Sequence, residues 1–376
     1  MKNTVRALLV SSSLLSLGAF AQANVVTTIK PLHALVAQIT QGVSEPTLLI
    51  QQGSPHGYQL KPNDVKAINE ADLLVWVGKD LETFVPDVLA KSGDKLSQLA
   101  WMDIDGVEKL KTRRGGLWEE DEHEHHDHDH DHKHDHKHDH KHDHKHDHKH
   151  DHKHDHKHDH KHDHKHEHKH EHKHEHKHEH KHEHKHEHKH EHDEHHDHDH
   201  HGHHHGEYDA HVWLSVDNSK VLLNSVAEQL GQIDPENKEK YAQNLKQALA
   251  QLDELNHEIA RIVEPVKNKP FMVFHDAYQY FEHEYGLQSI GAVRVSPEHE
   301  PGAARIGQLH QLIQQHQIEC LFSEPQFPAK LAEKLVQGTE VKLGTLDPIG
   351  ADLVAEQSAH AKLMRNLASS LRDCLN

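Results

Sequence analysis

The sequence contains few apolar and aromatic residues for a chain of 376 residues. Hydrophobic residues make up 34% and aromatic residues 5%, whereas histidine occurs 54 times. The shortage is concentrated in the segment 119–206, which cannot bury enough apolar surface to offset the entropy lost on ordering. We therefore exclude this segment from the fold prediction. Without it and an N-terminal leader, roughly 265 residues of ordinary composition remain, enough for one large or two medium domains.

Long hydrophobic runs are missing after the first 23 residues. These residues combine Lys2 and Arg6 with an apolar stretch over 7–20 and end in the cleavage-like tripeptide AQA. The pattern predicts a secretory signal peptide over 1–23, because the apolar stretch is too short and wrongly flanked for a membrane span. No cysteine comes directly after the apolar stretch, so a lipid anchor is not indicated. We therefore predict a soluble, exported mature protein.

Positive charge and cysteine are also scarce. Lysine and arginine number 42 against 62 aspartate and glutamate residues, and the formal net charge of −20 argues against nucleic acid as a partner. The two cysteines, Cys320 and Cys374, favour one disulfide in an oxidising compartment. It would join the C-terminal helix to a strand and close a loop of about 55 residues, contributing on the order of 4 kcal/mol in the chain-entropy model. A thiolate metal site is the alternative.

Outside the histidine-rich segment, short β-branched runs alternate with helical patterns. Strands are predicted at 25–29, 47–50, 72–78, 271–274, 287–293, 318–323 and 341–346. Alternating strands and helices predict βαβ units with parallel sheets. A helical pattern from Pro235 to Val263, about 43 Å long for a regular α-helix, suits a strut that joins two lobes.

We therefore predict an α/β fold of two lobes joined by a long helix. The N-terminal lobe spans 24–233 and contains the histidine-rich insertion 119–206, the connecting helix spans 234–264, and the C-terminal lobe spans 265–376. Ligands of open parallel sheets bind beyond the carboxyl ends of the strands, so a site is expected where these ends meet.

Four potential metal ligands follow predicted strands or the insertion: His56, His211, His275 and Asp347. Two come from each lobe, and all four fall at the same edge of their sheet. Three imidazoles and one carboxylate form a suitable tetrahedral shell for Zn²⁺. A lone histidine after a strand is more often a capping or surface residue, so the hypothesis depends on the shared edge. His33 meets the same criterion but is interpreted as a residue of a first helical turn, and Glu324 and Glu298 are candidate supporting or hinge groups.

Several motifs occur in an order that is typical of a known family. They are SPHGYQLKPNDVKAINEADLLVWVG, HVWLS, FHDAYQYFEHEYGL, SPEHEPGAARI, FSEPQF and GTLDPIG. With these motifs the chain resembles the metal-binding proteins of bacterial ABC importers, in particular the periplasmic zinc-binding ZnuA type. The resemblance covers the mature chain outside the insertion. It implies two (βα)4 lobes with parallel sheets, a rigid connecting helix and a metal in the cleft between the lobes.

The resemblance also implies a function and a ligand set. It implies a periplasmic monomer, not an enzyme, that binds Zn²⁺ with high affinity and delivers it to the ABC permease of a zinc importer in the inner membrane. The family's three histidine ligands correspond to His56, His211 and His275. In manganese-binding relatives a glutamate replaces the third histidine, and imidazole favours Zn²⁺ over Mn²⁺. The fourth ligand is Asp347, which fits the family's aspartate, or water. The pairing of the two cysteines also matches the zinc subgroup.

Histidine is the residue that the chain has in excess. The unit Asp-His-Lys-His begins at Asp131 and repeats to Lys165, after which Glu-His-Lys-His continues to about His192. Neighbouring charges alternate in sign, so the repeat stays near neutral while it offers many weak sites at high local concentration. Proteins of the resembled type often carry a histidine-rich loop here, and we predict an auxiliary zinc-binding segment. A metal-independent soluble spacer is the alternative.

Two other functions are weighed against zinc uptake. A periplasmic zinc buffer or storage protein would act mainly through the histidine-rich repeat, and deletion of the repeat would distinguish it. A secreted zinc hydrolase would need an open metal position and a positioned general base. The sequence has no H-E-x-x-H motif outside the repeat, and a shell of three histidines and a carboxylate would be closed. We therefore expect no enzyme activity, although water as the fourth ligand would reopen this question.

Overall fold

Two parallel β-sheets, each accompanied by helices, make up the part of the chain that the computed structural model describes. The described residues are 22–92, 96–113, 118, 206–294 and 301–376, and all of them belong to one compact unit. The predicted signal peptide and the predicted histidine-rich insertion lie almost entirely outside these residues. Within them, no helix is both long and apolar enough to cross a membrane.

The first sheet has four parallel strands in the order β2-β1-β3-β4. The strands are β1 (Val25–Thr27), β2 (Thr47–Leu48), β3 (Leu73–Trp76) and β4 (Ser97–Ala100). The helices of this lobe are α1 (Lys30–Ile39), α2 (Pro62–Asn69), α3 (Val85–Ser92) and α4 (Val216–Ile233). The central strands β1 and β3 are buried at every residue, as is usual for parallel strands that are covered on both faces.

The second sheet has four parallel strands in the order β6-β5-β7-β8. The strands are β5 (Phe271–His275), β6 (Gly291–Arg294), β7 (Cys320–Ser323) and β8 (Lys342–Thr345). The helices are α6 (Gln279–Tyr285), α7 (Ala303–Gln315), α8 (Lys330–Val336) and α9 (Ala359–Leu375). Both sheets therefore have the same topology, and the predicted α/β fold with two lobes is confirmed. The exact lobe boundaries at 233 and 265 stay predictions.

Two elements of the sheets differ from the sequence prediction. The prediction lacks β4 with its preceding helix α3, because the strand sequence SQLA is partly polar and only Ala100 is fully buried. Strand β6 begins at Gly291 rather than at Leu287, because the chain first leaves α6 through Gly286, whose φ is 66°. Such a left-handed residue commonly ends a helix, and the chain needs several more residues to reach the sheet.

The long helix α5 (Lys238–Val263) has 26 residues and is about 39 Å long. It begins three residues after the predicted Pro235, because Pro235–Asn237 form a 3-10 turn. Asp234 anchors this start by accepting a hydrogen bond from Tyr241 Oη at 2.8 Å. The buried face of α5 packs against α1 and α4 of the first lobe and against α9 of the second. The helix is therefore supported by both lobes and does not bridge open space.

The last helix, α9, also connects the two lobes. It packs against α1 and α5, and its Cys374 forms a disulfide with Cys320, the first residue of β7. In this structure the two cysteines thus form the expected disulfide, and neither is free to bind a metal. The larger of two clusters of buried apolar residues contains residues of both lobes, whereas the smaller lies within the second lobe. Separation of the lobes would consequently expose part of the core to water.

Candidate metal centre

His56 lies in the loop that follows β2. Its backbone N–H donates a hydrogen bond to Ser54 Oγ at 3.2 Å, and the next residue, Gly57, has a φ of 68°. A positive φ is unfavourable for residues with a Cβ, so Gly57 lets the chain turn immediately after the histidine. The ring of His56 is half-buried.

His211 lies directly before the 3-10 turn (Val212–Leu214) that leads into α4. Asp209 holds it in place, because Asp209 Oδ1 accepts the backbone N–H of His211 at 2.9 Å and lies 2.6 Å from its Nδ1. Ser215 then caps α4 by accepting the backbone N–H of Asn218. Both the backbone and the ring of His211 are therefore positioned by a residue two places earlier in the chain.

His275 is the last residue of β5 and is buried. Its Nδ1 lies 2.6 and 2.7 Å from the two carboxylate oxygens of Glu324, which follows the neighbouring strand β7. The sheet therefore places the carboxylate beside the ring. Burial acts to lower the pKa of His275, but the charge and hydrogen bond of Glu324 outweigh it and the pKa lies above its ordinary value.

The three rings meet at their Nε2 atoms. His211 Nε2 lies 3.4 Å from His56 Nε2 and 3.4 Å from His275 Nε2. Ligand atoms of all three residues lie within 4.8 Å of one another. An ion with tetrahedral geometry and Zn–N distances of roughly 2.0–2.1 Å has nitrogen pairs about 3.3 Å apart. Two of the three pairs already have this separation.

The carboxylates determine which nitrogen carries the proton. Because Asp209 and Glu324 accept from Nδ1 of His211 and His275, each neutral ring presents a lone pair at Nε2. Two such lone pairs 3.4 Å apart repel each other unless a cation lies between them. A histidine that donates its other ring N–H to a carboxylate is also the usual arrangement around zinc. The cluster therefore has the chemistry of a cation site.

Two buried carboxyl groups lie next to the cluster, and a cation bound there would change their ionisation. Burial raises the pKa of Asp209 to about 7, although the backbone N–H of His211 and the charge of Arg113 act to lower it. Burial also raises the pKa of Asp276, against the hydrogen bond and charge of Arg113. A cation among the histidines would favour the ionised form of both carboxyl groups. Metal binding and deprotonation therefore act in the same direction.

Comparison of the chain with known families identifies the context of this cluster. The family model of ZnuA, described as zinc-uptake complex component A, periplasmic, matches residues 25–374. The chain belongs to the ZnuA family. The high-affinity zinc uptake system protein ZnuA of Brucella suis biovar 1 is 43% identical over 94% of this chain and 91% of that protein. The corresponding protein of Haemophilus influenzae is 39% identical over 100% of this chain and 99% of that protein.

Solved structures share the fold of this ZnuA-family chain. A crystal structure of ZnuA aligns with a TM-score of 0.61 at 19% identity, over 93% of this chain and 100% of that chain. A mutant of the laminin-binding adhesin Lmb from Streptococcus agalactiae aligns with a TM-score of 0.62 at 18% identity, over 94% of this chain and 100% of that chain. At these identities the likeness concerns the fold alone.

Membership of the ZnuA family establishes the class of function. The protein is a solute-binding component of zinc uptake, so zinc is its cargo. The family serves transport and is not a family of enzymes. The zinc hydrolase that was weighed from the sequence is therefore excluded.

Asp347 follows β8, as the sequence predicts, but its carboxylate contacts Gln326 and the following turn instead of the three histidines. Its Oδ1 accepts a hydrogen bond from Gln326 Nε2 at 2.6 Å. Its two oxygens also accept the backbone N–H groups of the next turn, at 2.6–3.1 Å: Ile349, Gly350 and Ala351. In the described part of the ZnuA-family chain, the group of close metal-ligating atoms consists of the three histidines without Asp347. Here Asp347 stabilises the turn that it begins.

Two residues beside the cluster were missed by reasoning from sequence. Asp209 had a usable signal, since an acidic side chain two positions before His211 can reach the backbone N–H of that residue. Arg113 had none, because its partner Asp276 lies 163 residues away. Of the two candidate supporting groups, Glu324 lies beside His275 in the ZnuA-family chain, whereas Glu298 lies outside the described residues. His33 lies in α1 with its Nδ1 3.3 Å from Thr27 Oγ1, and it is not part of the cluster.

Proposed function

We propose that the protein works in the periplasm, captures Zn²⁺ between His56, His211 and His275, and delivers it to the ABC permease of a zinc importer in the inner membrane. The convergence of the three Nε2 atoms is the observation that carries this proposal. All three ligands come from one chain, so the proposed site needs no residue of a second subunit. The signal peptide predicted over 1–23 supports export to the periplasm.

The donor atoms favour zinc over harder ions. Neutral imidazole suits Zn²⁺, whereas Mg²⁺, Ca²⁺ and Mn²⁺ prefer oxygen ligands. The carboxylates of Asp209 and Glu324 hold two of the rings and increase the basicity of their Nε2 atoms. These two residues therefore support tight binding without contacting the ion.

We assign the fourth coordination position to water. The sequence predicts Asp347 or water as the fourth ligand, but the carboxylate of Asp347 would have to give up four hydrogen bonds to reach the ion. Oδ1 accepts three of these hydrogen bonds and Oδ2 accepts one, so a move towards the ion would disrupt both the turn and the contact with Gln326. An exchangeable water also leaves one side of the ion open for transfer to the next protein.

We further propose that the histidine-rich insertion binds several Zn²⁺ ions weakly and supplies them to the cleft. The repeat of alternating histidine with balanced charge supports this role. His211 follows the end of the insertion by five residues, so the weak sites are tethered close to the tight one. Tethering raises the effective zinc concentration at the cleft without any new contact.

Competition titration against a zinc chelator tests the ligand assignment, with a chelator strong enough to keep the weak repeat sites empty. We expect the intact chain to bind one Zn²⁺ tightly. His56→Ala, His211→Ala and His275→Ala should each lose at least about 100-fold in affinity, more than a supporting residue usually contributes. Asp347→Asn should lose less than about tenfold, because water is the fourth ligand.

The exposed residue His257 on α5 provides a matched control for this titration. His257→Ala should bind zinc like the unmodified chain. Tight binding that survives all three ligand substitutions would refute the assignment. If Asp347→Asn lost as much zinc affinity as the histidine variants, Asp347 rather than water would be the fourth ligand.

Deletion of 119–205 distinguishes transport from zinc storage. A transport protein keeps its tight one-to-one site without the insertion and continues to support zinc uptake by zinc-starved cells. A storage protein without the insertion loses most of its bound zinc and no longer supports the growth of zinc-starved cells. The measurements are zinc per chain after purification and growth in chelator-containing medium.

A further inference from the structure

The two chain segments that enter and leave the insertion lie side by side next to the metal centre. We call residues 108–113 the first stalk and residues 206–211 the second stalk. Lys111 and Tyr208 form an antiparallel bridge, and the backbone N–H of Asp209 donates to the carbonyl oxygen of Leu110 at 2.8 Å. Thr112 Oγ1 donates to the carbonyl oxygen of Gly206 at 2.8 Å. The second stalk ends at the candidate ligand His211, so movement of the stalks would move this ligand.

The segment after His275 in the second lobe holds both stalks. Tyr280 Oη accepts the backbone N–H of Leu110 at 3.1 Å and donates to the carbonyl oxygen of Asp209 at 2.9 Å. Gln279 Nε2 donates to the carbonyl oxygen of Lys111 at 3.1 Å. These contacts join the stalks to the same segment that begins at a second candidate ligand.

Arg113, the last residue of the first stalk, makes the strongest of these contacts. Its Nε lies 3.0 Å from both carboxylate oxygens of Asp276, and its guanidinium also pairs with Asp276 through a second nitrogen. Its other terminal nitrogen donates to Glu282 Oε2 at 2.8 Å. The indole of Trp118 stacks on the guanidinium at 3.7 Å. Asp276 directly follows His275, so this pair connects the first stalk with a ligand-bearing strand.

All members of this contact are shielded from water. The side chain of Arg113 is 17% exposed, and those of Asp276 and Glu282 are 6% exposed. Removal of one partner of a shielded ion pair strongly destabilises a folded protein, because the remaining buried charge has no compensation. The planar guanidinium serves two carboxylates at once, which the single ammonium of lysine cannot do with the same geometry.

We propose that Arg113 is a latch that holds the stalks of the insertion against the segment after His275. The latch keeps the relative positions of His211 and His275 fixed and thereby slows the release of zinc. The inference rests on the proposed zinc site at the three histidines. Arg113 is a positioning residue, since it acts through Asp276 and the stalks and does not contact the ion.

The charge of Arg113 alone predicts the opposite effect. A cation near the cluster repels Zn²⁺, so removal of the positive charge without any change of geometry would tighten zinc binding. A latch predicts weaker binding and faster release after the same substitution. The sign of the change therefore separates a geometric role from a purely electrostatic one.

The experiment measures zinc release from the full-length chain loaded with one equivalent of Zn²⁺, after mixing with excess chromogenic chelator. We expect the slow phase, which reports the cleft, to become about tenfold faster in Arg113→Ala. Arg113→Lys keeps the positive charge but loses the planar guanidinium that pairs with two carboxylates. We expect zinc release from this variant to be about threefold faster than from the unmodified chain. The control Arg365→Ala removes a half-exposed ion pair with Glu258, and its release should stay within about twofold of the unmodified rate.

A second readout separates the latch from a loss of folding. Thermal unfolding of the metal-free proteins should show Arg113→Lys melting with the unmodified chain while its zinc release is faster. If Arg113→Ala does not fold, Glu282→Gln replaces it, because this variant keeps the pair with Asp276 and should show an intermediate release rate. Unchanged or slower release in the folded Arg113 variants overturns the latch.

Failure of the zinc site itself gives a different result. If the unmodified chain shows no slow phase, or if His275→Ala retains it, the cleft assignment fails and the latch fails with it. If the slow phase is lost in His275→Ala but keeps its rate in the Arg113 variants, the zinc site is supported and only the latch is refuted.

Discussion

The three histidines of the candidate metal centre and the histidines of the repeat have different neighbours. In the cleft, three histidines converge because the carboxylates of Asp209 and Glu324 orient two of the rings and the fold brings the third beside them. In the repeat, histidine alternates with aspartate, glutamate and lysine, and the repeat itself contains no apolar residue against which a ring could pack. Preorganised ligands lose little entropy on binding, so position rather than number should decide affinity.

Glu324→Gln removes the feature that sets the cleft apart. An amide cannot offer two anionic oxygens to Nδ1 of His275, so the ring loses both its orientation and part of its basicity. We expect tight zinc affinity to fall about 10–100-fold, measured by chelator competition. This is the largest effect expected from a residue that does not touch the ion.

The nearby residue Glu319 provides the matched control for this substitution. Its carboxylate pairs with Lys269 near the surface, at 2.9 Å. Glu319→Gln should leave zinc affinity within about twofold, because exposed pairs contribute little. Equal losses in the two variants would mean that support of the ring by Glu324 is irrelevant, and the contrast between cleft and repeat would lose its basis.

His275→Glu tests whether the donor type in the cleft determines the choice of metal. A carboxylate in place of imidazole favours harder ions, so the ratio of Zn²⁺ to Mn²⁺ affinity should fall by about tenfold. Competition titration with both metals measures the ratio. His257→Glu, on the exposed face of α5, adds the same charge away from the cleft and should leave the ratio unchanged.

A change of pH should affect the repeat more than the cleft. Neutral imidazole is the form that binds zinc, and an unperturbed imidazole with a pKa of about 6.5 is mostly charged at pH 5.5. Zinc bound by the repeat, taken as the difference between intact and 119–205-deleted protein, should fall severalfold from pH 7 to pH 5.5. The tight cleft site should persist longer, since its ligands act together on one ion. No difference between the two proteins at pH 7 would favour the spacer.

His360 shows what burial does to a histidine that lacks a carboxylate. Its Nε2 donates to the carbonyl oxygen of Trp213 at 2.8 Å, and burial lowers its pKa to about 4. The unfolded chain takes up this proton near pH 6.5 and the folded chain only near pH 4, so stability decreases as the pH falls through this window. Between pH 6.5 and 5.5 the free energy of unfolding should fall by about 1 kcal/mol from this group.

Urea unfolding of the metal-free protein at the two pH values measures this effect. His360→Gln should reduce the pH dependence by that amount, because glutamine takes up no proton. His316→Gln, at an exposed position, should keep it. An unchanged slope in His360→Gln would show that folding does not lower the pKa of this histidine.

The sequence by itself determined the alternation of strands and helices and the position of the candidate ligands at strand ends. Central parallel strands are buried on both faces, so LLVW and FMVF are apolar throughout and identify β3 and β5 directly. His275 directly follows one of these runs, which placed it at the correct edge of its sheet. The strand β4 was not predicted because its sequence SQLA is partly polar and only Ala100 is buried.

Only the tertiary structure decided where the side chains point. Asp347 and His275 both stand at strand ends, yet Asp347 turns to the backbone of its own loop, whereas His275 turns to Glu324 and the other histidines. Arg113 likewise finds its partners in the other lobe. Local sequence patterns reflect burial, which follows the period of a helix or a strand. The direction of a polar side chain depends on the donors and acceptors that surround it, and these come together only when segments far apart in the chain pack against one another.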